Sequence, residues 1–395
     1  MKNKSRERAR IALMLPRLSL YGGVEQFGFR LARGLAERGH QVDFICSRQE
    51  VAPPSGVRVI SVGRPWGPRF LKMLWFLIQA ERVRKTGAYD MTISLGKTWR
   101  QDLVRMGGGP LTVFWEKSEL SIPPGPQRVL KRLTRRLSLS NLLTILLEKR
   151  QFTGESRVIA VSHLVRKWLL EAYPALDRNK VSVVYNRPDA ARFSPPAPGE
   201  REKTRAALLE ATGLSGHFSE RDGELVFIGT ASTNFRLKGV DRLIRALALL
   251  PENTLLFVAG GRDASQYRAL ARSLNLDNRV AFTGKTDNMP SFYRALDLFA
   301  LPTFYDACSN AVLEALACGC RTITSAANGA SFFLECEAIL PDPADVEDLA
   351  RRIRILAAKP APAPFVWSLA VKSGLEAFID EAQEALREKT AMAIE

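Results

Sequence analysis

The sequence predicts an α/β protein made of two doubly wound domains, each a parallel sheet covered by helices. Short apolar runs alternate with longer segments of helical period along nearly the whole chain. The alternation breaks once, where residues 187–223 are rich in proline and charge, and then starts again. A length of 395 residues also suits two cores better than one. We therefore expect domains at 1–187 and 188–366.

Periodicity assigns the elements in order. In the first domain, apolar runs of five or six residues predict strands, and apolar residues three and four apart predict helices. The predicted strands are Arg10–Leu15, Gln41–Cys46, Val57–Val62, Asp90–Leu95, Arg157–Val161 and Val181–Tyr185, and the predicted helices are Glu25–Arg38, Phe70–Thr86 and His163–Tyr173.

The second domain repeats this alternation after a linker that contains one exposed helix. Its segments have the same two periods and shorter connections. The predicted strands are Leu225–Ile228, Thr254–Ala259, Val280–Phe282, Leu298–Leu301 and Arg321–Ser325, and the predicted helices are Val240–Leu250, Ser265–Leu274, Asn310–Ala317 and Val346–Ala357.

Composition excludes several classes of protein. Five scattered cysteines without a CxxC pair indicate a reducing compartment, and three widely separated histidines argue against a histidine-rich metal site. The apolar run 11–15 is too short for a signal peptide, and the run 70–80 is too short for a membrane span. We expect a cytoplasmic protein that does not cross a membrane.

The positive charge lies in the first half of the chain. Residues 1–190 contain 34 Lys and Arg against 15 Asp and Glu, whereas residues 191–395 contain 23 against 26. This asymmetry indicates that the first half faces an anionic partner, namely a membrane surface, an acidic glycolipid or a nucleic acid.

One segment concentrates this charge. Cations recur at helical spacing along one face, leucines occupy another face, and no acid interrupts them, which is typical of a helix on an anionic membrane. A nucleic-acid groove lacks any supporting motif here, and a merely solvated face stays an alternative. The cations are Arg128, Lys131, Arg132, Arg135 and Arg136.

Two acids at the start of a predicted helix form the strongest candidate site. Asp306 follows a strand, Ser309 or Asn310 is a suitable N-cap, and Glu314 lies in the first turns of the helix. Helical side chains lean toward the N-terminus, so both carboxylates point to the carboxyl edge of the sheet, where ligands of α/β proteins bind. A capping aspartate with a solvated glutamate is the structural alternative.

This segment resembles the acid-x7-acid signature of family 4 retaining glycosyltransferases of the GT-B fold. The resemblance implies two Rossmann-like domains facing across a cleft, with a nucleotide-sugar donor bound between them. It implies that Glu314 holds the ribose and that Asp306 holds the donor sugar. Most relatives have glutamate where this chain has Asp306. Backbone amides beside Asp306 would assist, at Ala307, Cys308, Ser309 and Asn310.

A cation pair precedes another predicted helix. Arg236 and Lys238 stand where a helix dipole disfavours positive charge, so an anion there would relieve the conflict. A nucleotide diphosphate is the natural candidate, with both cations stabilising charge as the sugar–phosphate bond breaks. The family resemblance implies a basic pair at this place. Surface charges at a helix end are the alternative.

Glycine turns at the carboxyl ends of strands complete the predicted donor site. Gly22 and Gly23 follow the first strand, Gly229 opens the second domain, and Lys285 follows the strand at 280–282. Glycine permits close approach of backbone to a phosphate at a helix start. A plain structural turn at Gly22-Gly23 stays an alternative.

The segment Lys97–Gly109 resembles lipopolysaccharide-core glucosyltransferases within the family. Asp102, Arg105 and Gly107–Gly109 are candidates for the acceptor side, and Asp102 is either catalytic, acceptor-binding or structural. Many relatives carry a histidine nearby, which this chain lacks. The resemblance also implies that residues 367–395 pack back on the first domain.

The resemblance thus implies retaining transfer of a hexose, from a UDP-glucose-like donor to a lipid-linked or lipopolysaccharide-type glycan, and the basic first half of the chain places this reaction at the inner face of the membrane. The absence of an Asp-x-Asp motif argues against a metal-chelated diphosphate, so no metal or cofactor is expected. A sugar-nucleotide epimerase and a catalytically inactive, membrane-docked binding protein stay alternatives. A NAD-dependent oxidoreductase is disfavoured because no GxGxxG follows either first strand.

Overall fold

A computed structural model describes residues 8–214, 224–261, 263–286, 288–360 and 362–392. The chain forms two compact units. The end of the predicted linker, residues 215–223, lies outside the described residues. The first unit is Met1–Trp115, Gly125–Asn186 and Leu369–Glu395, and the second is Glu116–Pro124 and Arg187–Ser368.

Parallel strands build the sheet of the first unit, in the order β5-β3-β1-β6-β7-β8-β9 over the described residues, and β2 pairs separately with β4. The sheet strands are apolar on both faces, as expected where helices cover both sides. The strands are β1 (Arg10–Met14), β2 (Arg17–Leu18), β3 (Gln41–Cys46), β4 (Arg48–Gln49), β5 (Val57–Ser61), β6 (Met91–Ser94), β7 (Leu103–Met106), β8 (Arg157–Ala160) and β9 (Val181–Val183).

Helices connect these strands. The first helix begins at a glycine turn and buries Leu31 and Leu35 against Leu13 and Phe44 of the sheet. The helices are α1 (Gly23–Glu37), α2 (Arg69–Thr86), α3 (Leu111–Glu119), which begins in this unit, α4 (Pro126–Leu137), α5 (Leu139–Thr153) and α6 (His163–Ala172).

The second unit contains a parallel sheet in the order β12-β11-β10-β13-β14-β15 over the described residues. Its strands are β10 (Val226–Ser232), β11 (Thr254–Gly260), β12 (Val280–Gly284), β13 (Leu298–Leu301), β14 (Arg321–Ser325) and β15 (Ile339–Leu340). Its helices are α7 (Glu200–Thr212), α8 (Val240–Leu247), α9 (Ser265–Ser273), α10 (Met289–Ala295), α11 (Asn310–Ala317) and α12 (Val346–Ala357).

The last helix, α13 (Gly374–Met392), belongs to the first unit and packs on α1. The ring of Phe378 meets that of Phe27 edge-on, with centroids 5.0 Å apart. Because Phe378 is fully buried, this contact fixes α13 on the first unit.

The predicted fold class, doubly wound parallel α/β, is confirmed, with one strand that was not predicted and one predicted strand that ends elsewhere. β7 was not predicted, because its four residues stand between a polar loop and three glycines. β10 ends at Ser232 rather than at Ile228, which places Gly229 inside the strand. None of the helices in the described part of the chain is long and apolar enough to cross a membrane.

Candidate functional site

The loop between β13 and α11 holds the predicted acid pair. Ser309 is the N-cap of α11, since its side chain is positioned to accept from the backbone N–H of Val312. Asp306 precedes this cap, and Glu314 lies at the second turn of the helix. The loop therefore leaves the carboxyl edge of the second sheet, where ligands of open α/β sheets bind.

Asn328, which sequence reasoning did not select, fixes this loop. Its Oδ1 accepts from the backbone N–H of Ser309 at 3.1 Å and of Ala330 at 3.0 Å, and its Nδ2 donates to Thr324 Oγ1 at 3.0 Å. The Asp306 backbone pairs with the same segment, donating to the Ala327 carbonyl oxygen at 3.0 Å. Asn328 is completely buried, so its amide holds the loop in one conformation.

Asp306 and Lys238 are in direct contact, although 68 positions separate them in sequence. Lys238 Nζ lies 2.5 Å from Asp306 Oδ2 and donates to the Tyr305 carbonyl oxygen at 3.0 Å. The other carboxylate oxygen accepts from the Cys308 backbone N–H at 3.2 Å. Both charged side chains retain some exposure, 17% for the lysine and 18% for the aspartate, so a ligand can reach the pair. An acid and a base predicted from separate motifs thus form one charged centre.

Close backbone packing brings the cation-bearing turn to this loop. Gly239, at φ +69°, caps α8, and a Cβ there would lie 2.3 Å from the Pro302 carbonyl oxygen. Only glycine fits so near the neighbouring backbone. Burial raises the pKa of Tyr267, and Arg236, which hydrogen-bonds to that phenol, opposes the rise. Arg236 and Lys238 therefore stand on one turn beside the Asp306 loop.

Glu314 has a buried partner that the sequence did not reveal. The Tyr293 hydroxyl, on α10, donates to Glu314 Oε2 at 3.0 Å. Burial raises the pKa of Glu314 to about 7, against the Tyr293 hydrogen bond and the charge of Arg192, which lower it. Burial also raises the pKa of Tyr293, so the phenol stays a donor at neutral pH. One carboxylate oxygen is thereby held by the protein.

A cavity of about 480 Å³ opens at the carboxyl ends of β11 and β12. Its volume lies within the range usual for small-molecule sites. Gly260 and Gly261 both have positive φ, and a Cβ on Gly260 would lie 2.3 Å from the Ser232 carbonyl oxygen. The Arg268 guanidinium lies over the Phe282 ring at 4.7 Å and forms one wall. A planar nucleobase matches a cavity of this size with a flat cationic wall.

Gly229 does not lie where the sequence predicted, whereas Lys285 does. Gly229 is buried in the middle of β10, where a Cβ would lie 2.2 Å from Leu296 Cδ1. The predicted turn at Gly229 is therefore wrong, and close packing against Leu296 explains why a glycine stands there. Lys285 directly follows β12, at the same edge as the cavity.

In the first unit, the turn Gly22-Gly23 is exposed at the carboxyl end of the sheet, before α1. Gly22 has φ +96°, and a Cβ there would lie 2.4 Å from Glu25 Oε2. Glu25 accepts from Arg17 Nη2 at 2.7 Å, which raises the pKa of that guanidinium. The conformation explains why glycine is required, and it leaves the backbone open to a ligand.

Asp102 lies at the opposite edge of the first sheet. It precedes β7, a parallel strand, and therefore stands at the amino edge rather than the carboxyl edge. Its Oδ2 accepts from the Thr92 backbone N–H at 2.7 Å and hydroxyl at 2.8 Å, and its Oδ1 lies 2.9 Å from Lys389 Nζ. A catalytic or acceptor-binding role for Asp102 stays a prediction. These contacts favour the structural alternative, in which the carboxylate joins β6, β7 and α13.

The rest of the predicted acceptor segment stays at the carboxyl edge. Lys97, which follows β6, donates to the buried Glu148 at 2.7 Å, and Glu148 also accepts from the Tyr173 hydroxyl at 3.0 Å. Gly107–Gly109 follow β7. Arg105 donates to Asn186 Oδ1 at 2.7 Å and stacks over the Phe27 ring. The buried network around Glu148 thus fixes the base of this edge.

The basic segment forms a helix, as predicted: α4 carries its five cations and buries none of its residues. Val129, Leu130, Leu133 and Leu137 are half or more exposed. Arg135 donates to the Trp115 carbonyl oxygen at 3.1 Å. In the described part of the chain, no group of three or more His, Cys, Asp or Glu residues is placed to hold a metal ion.

Two family models match the chain along most of its length. Residues 21–192 match Glycosyltransferase Family 4, and residues 222–359 match Glycosyl transferases group 1. The second match contains Arg236, Lys238, Asp306 and Glu314, which form the candidate site described above. The family resemblance drawn from these motifs is therefore confirmed.

Similar proteins carry related names. A D-inositol 3-phosphate glycosyltransferase of Salinispora arenicola is 33% identical over 204 residues, which are 46% of this chain and 43% of that protein. The lipopolysaccharide glucosyltransferase WaaG of Escherichia coli K12 is 30% identical over 184 residues, 45% of this chain and 46% of WaaG. These alignments span less than half the length of either relative.

Solved structures share the fold. The crystal structure of WaaG, a glycosyltransferase involved in lipopolysaccharide biosynthesis, has a TM-score of 0.70 at 21% identity and covers 88% of this chain and 90% of its own. Anabaena HepE in complex with UDP-glucose has a TM-score of 0.63 at 16% identity and covers 96% and 100%. At these identities the likeness concerns the fold, which is GT-B.

The fold and the matched domains define the class: the chain has the GT-B fold and carries domains of two glycosyltransferase families. More particularly, it combines a family 4 domain at 21–192 with a group 1 domain at 222–359 and resembles lipopolysaccharide-core glucosyltransferases.

Proposed function

We propose that this protein transfers a hexose, with retention of anomeric configuration, from a nucleotide diphosphate sugar to a lipid-linked or lipopolysaccharide-type glycan. The contact between Lys238 and Asp306, with Glu314 on the adjoining helix, carries the proposal. One cation and two acids at a single sheet edge match the three parts of such a donor, namely its diphosphate, its sugar and its ribose.

Each group has a distinct task in the reaction. Lys238 and Arg236 neutralise the diphosphate as the bond between sugar C1 and phosphate oxygen breaks. The acceptor oxygen then bonds to C1 on the face that the diphosphate leaves, and the acceptor proton passes to a donor phosphate oxygen. Asp306 accepts from sugar hydroxyls, and Glu314 accepts from the ribose with the oxygen that Tyr293 does not hold. No protein nucleophile is required.

The donor we propose is UDP-glucose or a similar sugar nucleotide. HepE, which shares the fold, binds UDP-glucose, and WaaG is a glucosyltransferase. The cavity beside Gly260 and Arg268 would take the base, and Lys285 lies at the same edge. Backbone amides of the loop 307–310 would assist Asp306 with the sugar.

We further propose that the protein works at an anionic membrane, on the cytoplasmic side. The five cations of α4 supply the electrostatic attraction, and its exposed leucines supply apolar area. All five cysteines, which lie in the described part of the chain, are free thiols, as suits a reducing compartment.

A donor panel tests the reaction. UDP, GDP, ADP and CMP, with and without their sugars, are compared by thermal shift and by product formation with and without a glycolipid acceptor. We expect one nucleotide to stabilise the protein, by about 2.7 kcal/mol at 100 times its Kd, and sugar transfer to require acceptor. A new sugar nucleotide formed without acceptor would instead identify an epimerase. Binding without any turnover would identify an inactive binding protein.

Metal independence is a separate prediction. We propose that Arg236 and Lys238 carry the charge that a divalent ion supplies in other transferases, so the enzyme needs no metal or cofactor. Transfer in excess EDTA should then proceed at an unchanged rate, measured by release of nucleotide diphosphate. Abolished transfer that returns on adding Mg²⁺ or Mn²⁺ would contradict this role of the cation pair.

A further inference from the structure

Helix α2 has two apolar faces, of which the fold covers one. Phe76, Leu77 and Ala80 are buried against the first unit. An exposed stripe runs along another face at the spacing i, i+3, i+4, i+7, which is the pattern of a contact surface. This α2 stripe consists of Leu71 (44% exposed), Leu74 (36%), Trp75 (39%) and Ile78 (43%).

A further aromatic residue stands before the stripe. Trp66, in the turn that leads into α2, is 98% exposed. Tryptophan at such a place is unusual for a surface that meets only water, and it is typical of an interface between water and lipid. Trp75 Nε1 donates to the Val62 carbonyl oxygen at 2.9 Å, which fixes this turn beside the helix.

Charge around the α2 stripe has one sign. Residues 51–80 contain four cations and no Asp or Glu, and residues 120–147 contain five cations and no Asp or Glu. Arg69 and Lys72 flank the stripe within α2 itself. An anionic lipid surface attracts cations and repels acids, which explains two segments without Asp or Glu. A protein partner with mixed charge would not require such segments.

Helix α2 is linked to the basic helix α4 through a third helix. Helix α5 contacts both α2 and α4. Apolar side chains that are about half exposed or more continue across α4 and α5, so the apolar area exceeds one helix face. They are Val129, Leu130, Leu133 and Leu137 of α4, and Leu139, Leu142 and Leu146 of α5.

We propose that the α2 stripe and Trp66 insert into the headgroup region of an anionic bilayer and form the apolar half of the membrane contact. The inference rests on the proposed membrane location and adds a second element to it. The cations of α4 attract the surface through a charge interaction that salt screens. The α2 stripe holds the protein there through apolar burial, which salt does not weaken.

Vesicle sedimentation separates the two contributions. Full-length protein is mixed with phosphatidylglycerol-containing or pure phosphatidylcholine vesicles at low and at high salt. We expect a double variant, Leu71→Gln with Ile78→Gln, to lower the partition coefficient at high salt about tenfold or more, since two apolar side chains lose their burial. The variant Arg128→Gln with Arg132→Gln should lose binding chiefly at low salt. Leu249→Gln with Ile355→Gln, two exposed apolar residues of the second unit, serves as the matched control.

The fluorescence of Trp66 reports on lipid contact while the α2 stripe keeps its wild-type residues. Brominated lipid should quench part of the tryptophan fluorescence of the wild-type protein, and Trp66→Phe should reduce that quenched part, with Trp75 of the stripe accounting for the rest. Equal quenching in Trp66→Phe, or equal high-salt binding by the double α2 variant, would overturn the inference while leaving the role of α4 intact. A wild-type protein that binds no vesicle would overturn both. A wild-type dimer that the double variant dissociates would assign the stripe to a second copy of the chain.

Discussion

Replacing Lys238 with alanine should lower kcat by about 10²–10³-fold, the usual cost of removing one group that stabilises charge in a transition state. Lys238 Nζ lies 2.5 Å from Asp306 and also meets the Tyr305 carbonyl oxygen. The lysine is thus held at the charged centre before any donor arrives. Because negative charge on the diphosphate grows as the sugar–phosphate bond breaks, kcat should fall more than nucleotide affinity does. Steady-state kinetics with the preferred donor, and nucleotide titration, give both quantities.

Lys359→Ala provides a matched control for Lys238→Ala. Lys359 also forms an ion pair in the second unit, with Glu337, but both partners are about 40% exposed and lie outside the candidate site. This variant should retain wild-type kcat, because an exposed ion pair contributes little. Wild-type kcat in Lys238→Ala would contradict a role for the lysine in leaving-group stabilisation.

A double-mutant comparison separates two ways in which Lys238 can act. If the lysine serves only to orient Asp306, then Lys238→Ala combined with Asp306→Asn should be no slower than the slower single variant. If the lysine acts on the diphosphate and Asp306 acts on the sugar, the two losses should combine in the double variant. Our proposal predicts the second result.

Sequence periodicity located elements with strong, regular patterns. Strands β3 and β13 and helices α11 and α12 have the bounds that the sequence predicted. Each is a compact apolar run or a regular helical repeat with clear signals at its ends. The acid pair could be predicted for the same reason, since Asp306 and Glu314 lie on one strand–loop–helix unit.

Residues whose role depends on distant contacts were not predicted. Tyr293 reaches Glu314 from another helix, and Asn328 fixes the Asp306 loop from the segment after β14. Neither position differs in sequence from an ordinary core tyrosine or a turn asparagine. The sequence did not show at which edge of the first sheet Asp102 lies, because β7, the strand that Asp102 precedes, was not recognised. Gly229 was read as a turn glycine because its packing partner, Leu296, lies 67 positions away.

Nucleotide affinity should depend on pH through Glu314. The pKa of this carboxyl is raised to about 7, chiefly by burial. Ribose hydroxyls donate more strongly to a carboxylate than to a neutral acid, so the affinity should rise as pH increases through about 7. Glu314→Gln, which keeps the shape but cannot ionise, should bind nucleotide about tenfold or more weakly at pH 8.5 and nearly as well as the wild type at pH 5.5.

Folding stability should respond in the opposite direction. The folded protein holds the Glu314 proton more tightly than the unfolded chain, whose glutamate has the ordinary pKa of 4.5. The free energy of unfolding contributed by this group is therefore fully present below pH 4.5 and is lost as the pH rises to about 7. Urea titrations across this range should show that the free energy of unfolding of the wild type falls as the pH rises. Glu314→Gln should lack this fall.

The nucleotide itself titrates near the same pH, because the last proton of a terminal phosphate leaves near pH 6. The phosphate titration affects both proteins equally, since both bind the same ligand. It therefore cancels when the log affinity of Glu314→Gln is subtracted from that of the wild type. Glu347→Gln, an exposed acid in the first turn of α12, controls for a general change of charge in the second unit. A pH-independent difference between wild type and Glu314→Gln would mean that the glutamate does not bind the ribose as a carboxylate. The ribose would then have to be held by the loop amides alone, and the acid at the second turn of α11 would be a packing residue for Tyr293.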